Sequence, residues 1–133
     1  MRNTCALLAL FALSALLSSC NTIHVAPGAP APRIALNAAT GVERRFIPKL
    51  EHYFRRSGFQ VVQGGPAEYE LDFNISEHRL GVGVQMSLYE NGRLISTGEG
   101  RAAGHIRYAN RDSVADEAFN EALDELSPPT VTY

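Results

Sequence analysis

The chain contains no tryptophan and only two cysteines among its 133 residues. Without tryptophan, the bulky pieces of a core must come from six phenylalanines and five tyrosines. Cys5 and Cys20 both fall at the N-terminus, so no disulfide can staple the rest of the chain. Neither sign of charge dominates. Twelve basic and fourteen acidic residues give a net charge of −2, which argues against a general nucleic-acid binder. Catalytic signatures are missing as well. No serine has a nucleophile-elbow context, and no two histidines have the helical spacing of a zinc site. Glu51-His52 and Glu77-His78 are adjacent pairs, but neighbouring side chains diverge on a helix and oppose one another on a strand, so neither is a dyad. The expectation is a protein that is not an enzyme and carries no cofactor and no metal.

What the N-terminus does contain is a short apolar run. Arg2 precedes it, and Cys5 to Leu17 is apolar except for Ser14. A spanning helix needs about 20 apolar residues, so this run is too short to cross a bilayer. A basic start, a short apolar centre and small residues before a cut mark a secretory signal peptide. Leu17-Ser18-Ser19-Cys20 then resembles the lipobox of bacterial lipoproteins. That resemblance implies cleavage before Cys20, a diacylglyceryl group on its thiol and acylation of the new amino terminus. Each buried methylene contributes about 0.8 kcal/mol, so several acyl chains anchor a protein durably. Asn21 follows, where the enteric version of the family uses aspartate for retention at the inner membrane. The resemblance therefore favours the outer membrane, facing the periplasm, with the inner membrane as the alternative. Two other readings stay open: a buried N-terminal helix with a chance cysteine, and an ordinary signal peptide cut elsewhere that leaves Cys20 a free thiol.

Residues 1–19 are thus expected to be a signal peptide, 20–32 an acylated cysteine with a Pro/Ala-rich tether, 33–127 one domain and 128–133 a tail. Pro27-Gly28-Ala29-Pro30-Ala31-Pro32 has no apolar periodicity. An extended stretch of twelve such residues reaches roughly 35 Å, enough to hold a domain clear of headgroups. His24, inside it, reads as a solvated side chain rather than a ligand.

Arg33 to Leu36 suits a short strand. Thr40-Gly41-Val42-Glu43 matches a capping box. Val42, Phe46, Leu50 and Phe54 then recur at helical spacing, with Pro48 predicting either a kink or a helix that starts near it. Gly58 suits the position after the helix end. Phe59 to Gln63 reads as a strand. Tyr69, Leu71, Phe73 and Ile75 alternate with polar residues, as do Val82, Val84, Met86 and Leu88. Asn91-Gly92 is a strong hairpin signal. It predicts Glu90 opposite Arg93, Tyr89 opposite Leu94 and Leu88 opposite Ile95. Val114, Ala115, Ala118, Phe119, Ala122, Leu123 and Leu126 form the stripe of a last helix. The expected fold is α+β, a two-layer sandwich: an antiparallel meander of about four strands with two helices on one face.

Three surfaces are candidates for function. Glu70, Asp72, Asn74 and Ser76, with Gln85, Ser87 and Tyr89, share the polar sheet face, suited to a cation or a basic partner or simply to water. Arg44, Arg45, Lys49, Arg55 and Arg56 could meet a polyanion: lipid phosphates, lipopolysaccharide or peptidoglycan. The other reading is that they pair with the acidic last helix, where Asp112, Asp116, Glu117, Glu121, Asp124 and Glu125 crowd together. Gly83, Gly98 and Gly100 mark sheet curvature, close backbone approach or an edge that accepts another strand. His105, near Arg107 and Tyr108, reads as a surface residue.

The element order is similar to that of small α/β envelope lipoproteins, a likeness that carries no functional residues across. The functional expectation is an outer-membrane-anchored lipoprotein whose periplasmic domain is a non-enzymatic binding or assembly module with a protein partner in the envelope. The alternatives are a periplasmic inhibitor or immunity protein that caps a toxic enzyme, and an envelope polyanion binder.

Overall fold

The computed structural model describes residues 22–38, 41–103 and 111–133. Cys20 and His105 lie outside them, as does the proposed signal peptide. The described elements run β1 (Thr22–His24), β2 (Arg33–Ala38), α1 (Gly41–Arg44), α2 (Ile47–Arg56), β3 (Gln60–Val62), β4 (Tyr69–His78), β5 (Gly81–Glu90), β6 (Arg93–Ala103), α3 (Arg111–Leu126) and β7 (Thr130–Thr132). The class is α+β, built on a mixed five-stranded sheet in the order β3-β2-β4-β5-β6.

That order corrects the four-stranded antiparallel meander. Only β4, β5 and β6 form a meander. β2 inserts between β3 and β4 and is parallel to both, with Arg33 opposite Gln60 and Ile34 opposite Tyr69. The reason lies in the connection. A helix between two strands returns the chain to its starting end, so the second strand enters parallel to the first. Residues 63–68 then place β4 on the other side of β2.

Pro48 divides the first helical segment. Proline has no N–H to give the carbonyl four residues earlier and its ring crowds the preceding turn, so a helix kinks or breaks there. α1 ends at Arg44, and α2 begins at Ile47 with the proline in its first turn. The Phe46 N–H bonds back only three residues, to the Glu43 carbonyl at 2.9 Å, and the regular pattern resumes with Leu50 N–H on the Phe46 carbonyl at 3.0 Å. Phe46, Leu50 and Phe54 stay in the core, but Val42, assigned to the same stripe, is 38% exposed.

The hairpin forms as expected at its tip. Asn91 and Gly92 both have positive φ, 48° and 80°, as a two-residue turn of this hand requires. Glu90 faces Arg93 and Tyr89 faces Leu94. A bulge then shifts the register, so Leu88 faces Ser96 and Ile95 is left 37% exposed rather than in the core.

One sheet face carries Ile34, Leu71, Phe73, Ile75, Val84, Met86 and Leu88, all buried. α2 and α3 cover it. The rings of Phe46 and Phe119 stack at 4.6 Å and join the two helices. Phe54, Phe59 and Tyr69 continue the core as edge-to-face contacts of 5.6 and 5.3 Å. α3 comes unusually close to β6 because small residues meet there. A Cβ on Gly98 would run into the Ala122 carbonyl, and one on Gly100 into the Ala118 carbonyl. Close helix approach, rather than an open edge, accounts for these two glycines.

The segment read as a tether is bound to the domain. β1 pairs in parallel with β7, the segment read as a tail. The Val25 N–H reaches the Thr132 carbonyl at 2.9 Å, a turn closes from Ala29 N–H to the Ala26 carbonyl at 3.0 Å, and the Pro32 carbonyl accepts the Gln60 N–H at 2.9 Å.

Candidate functional site

Alternation places the polar residues of β4 on the face that the helices leave uncovered. Glu70, Asp72, Asn74 and Ser76 are all exposed there. Register brings Ser87 beside Asp72, Gln85 beside Asn74 and Gly83 beside Ser76. β6 adds Glu99 opposite Gln85 and Arg101 opposite Gly83.

These side chains bond to one another across strands. Asn37 Nδ2 donates to Asp72 Oδ1 at 2.8 Å, and Gln85 Nε2 donates to Glu99 Oε1 at 3.1 Å. Ser76 Oγ meets the Gly83 carbonyl at 3.4 Å. Because Gly83 has no side chain, the sheet is hollow at that point. A concavity of about 490 Å³ opens there, lined by Asn74, Ser76, Gln85, Glu99 and Arg101, with Leu80 at its edge. A second hollow of about 400 Å³ continues it past Asn37, Asp72 and Ser87.

Sequence reasoning found the β4 and β5 rows of this face and missed Asn37, Glu99 and Arg101. The last two were within reach: once Gly98 and Gly100 face a helix, Glu99 and Arg101 must face the other way. Asn37 required knowing that β2 lies beside β4. The face keeps the acidic balance of its β4 row, since Glu99 offsets the cation that Arg101 adds and Asn37 bonds Asp72 without adding charge.

The basic candidates do not form one surface. Arg44 and Arg45 precede α2, whereas Arg55 and Arg56 end it. Ten helical residues span about 15 Å. Between them Lys49 turns to α3, with Nζ 3.9 Å from Asp116 Oδ1 and 5.2 Å from the Phe119 ring centre. Pairing with the acidic last helix therefore holds for Lys49. Arg45 lies 5.7 Å over the Phe46 ring, and Arg55 is 3.4 Å from Glu51.

Perturbed titrations occur away from the open face and have structural causes. The Arg33 guanidinium and backbone N–H hold the Glu68 carboxyl down at about 2. Burial, then the hydrogen bond to Glu90, pushes the Tyr69 phenol up. Burial likewise raises Tyr53. Among the described residues no group of three or more His, Cys, Asp or Glu is placed to hold a metal ion. No helix among them is long and apolar enough to cross a membrane.

No protein-family model matches the sequence, and no curated protein matches it. Among solved structures, the chain is similar to a PelC variant from Paraburkholderia phytofirmans, described as a dodecamer. The TM-score is 0.54 at 20% identity, over 74% of this chain and 88% of that one. At that identity the likeness shows a shared fold.

Proposed function

We propose that this chain is a lipoprotein anchored through Cys20 in the outer membrane of a bacterial envelope, and that its domain is a non-enzymatic assembly module facing the periplasm. The observation that carries the reading is Leu17-Ser18-Ser19-Cys20 at the end of a short apolar run. Two further features support an assembling module. Among the described residues, one face of the five-stranded sheet has no helix over it, and its polar side chains are already organised by mutual hydrogen bonds. The PelC chain of similar fold forms a dodecamer, so a sandwich of this kind is compatible with ordered assembly.

Native mass spectrometry of the lipidated protein in detergent, over a range of concentrations, tests the assembly. A discrete oligomer, or one envelope protein retained with the chain after mild crosslinking, is the expected outcome. A monomer at every concentration with no retained partner contradicts it.

A further inference from the structure

The N-terminal strand is clasped to the domain. Thr22 pairs with Thr130, Ile23 with Val131 and His24 with Thr132. On the far side of β7, Val131 N–H donates to the Ser57 carbonyl at 2.7 Å, and the Tyr133 hydroxyl donates to the Gly58 carbonyl at 2.8 Å. β1 is therefore held over the end of α2. Cys20 precedes Thr22 by two residues, and that length of chain reaches about 7 Å at most. A lipid on that sulfur leaves the domain at this place, with no spacer between them.

The surroundings suit a headgroup layer. Arg55 and Arg56, both exposed, form the last turn of α2. Tyr133 is 68% exposed and lines a hollow with Arg55 and Gly58. Arg93 belongs to the same end of the sheet, because the register runs from Arg93 to Glu90, Tyr69 and Ile34, one residue past the start of β2. Of the carboxylates near this end, Glu68 holds Arg33, Glu90 accepts from Tyr69, Glu51 lies against Arg55 and Glu125 accepts from the Glu99 N–H, while Asp124 is exposed near Tyr53. Arginines near a bilayer attract anionic lipid phosphates, and tyrosine settles where apolar and wet layers meet.

We propose that this end of the domain, with Arg55, Arg56, Arg93 and Tyr133, rests on the anionic headgroups of the membrane that holds the lipid anchor. The inference rests on the anchoring proposed above. It fixes the domain's orientation. The Arg79–Leu80 turn, at the other end of the ten-residue β5, then stands about 30 Å further from the bilayer. Leu80, 76% exposed, is free of the surface in this arrangement.

The test uses the full chain, expressed with its own N-terminus, extracted from membranes and weighed intact. Nitroxide labels are placed on Thr132→Cys and, separately, on Leu80→Cys. Each protein is reconstituted into vesicles of phosphatidylcholine with phosphatidylglycerol, and collision with a water-soluble relaxation agent is measured. The expected result is shielding at Thr132 and full access at Leu80. In the Thr132 reporter, adding Arg55→Gln with Arg56→Gln should shift the docked-to-free ratio by about 30-fold, from roughly a factor of five per arginine near an anionic surface. An acylated protein whose two reporters are equally accessible overturns this orientation and leaves the anchoring intact. An intact mass showing bare Cys20 overturns both.

Discussion

The Glu43 carboxylate accepts the backbone N–H of Ile75 at 2.9 Å, inside the core. The last described pair between β2 and β4 is Ala38 with Phe73. Ile75 lies past the end of that ladder, and Glu43, just after β2 in the chain, supplies an acceptor where the strand no longer does. The capping-box reading sends this side chain back to Thr40, which lies outside the described residues. The contact with Ile75 joins the first helical turn to the sheet. Glu43→Ala should cost about 2–3 kcal/mol by leaving a buried donor unpaired, whereas Glu43→Gln, which keeps an acceptor oxygen, should cost about 1. Urea unfolding of both variants checks this. Equal losses would show that hydrogen bonding at this position is not what matters.

Gly100 sets the distance between α3 and the sheet. Its Cβ would collide with the Ala118 carbonyl, which is helix backbone and cannot swing aside. Gly100→Ala should therefore destabilise the domain by about 2 kcal/mol. Gly64→Ala gives a local comparison: nothing lies within 4 Å of its added methyl, so only the strain of φ +81° applies. Thermal unfolding midpoints should fall further for the first than for the second.

The β1–β7 clasp depends on Gly58. Its φ is +95°, and an added Cβ would lie 2.7 Å from Val131 Cβ. Gly58→Ala should loosen β7 and cost about 1–2 kcal/mol. The direct readout is amide exchange at Val131, whose N–H bonds Ser57. Exchange there should accelerate while that of Met86, in the sheet core, changes only with global stability.

Glu68 makes stability depend on pH. Its folded value, about 2, lies below the ordinary 4.5 because Arg33 favours the charged form. A depressed carboxyl stabilises the fold above its unfolded value, and that contribution is lost as pH falls through the folded one. The difference in melting temperature between the wild type and Glu68→Gln should be constant above about pH 5 and close progressively towards about pH 2. A gap that stays open at the acid end would contradict the Arg33–Glu68 assignment.

Much of the sandwich was legible because period alone reports it. Tyr69, Leu71, Phe73 and Ile75 announced β4 and its two faces, and Asn91-Gly92 announced the hairpin. Pro48 marked where α2 begins. Neighbour relations were not legible in the same way. Ile34 and Leu36 alternate in β2, but alternation gives a face and not a partner, so its place beside β4 could not be read. Ile95 moved out of the core through a bulge that no residue type in Arg93–Ser96 demands. The least legible part was β1 with β7. Three residues carry no period, and the prolines between 27 and 32 report local stiffness, not what the segment touches. The open face was read in outline from β4 and β5; it lacked Asn37 for the same reason that β2 was misplaced, whereas Glu99 and Arg101 follow from alternation once Gly98 and Gly100 are set against α3.

The account depends most on what the Cys20 sulfur carries. The decisive measurement is the intact mass, with fragmentation, of the protein extracted from the membranes of its own host. The account predicts a chain that starts at Cys20 and carries acyl groups on that residue. A chain that still includes residues 1–19, or one that starts at Cys20 with an unmodified thiol, would contradict it.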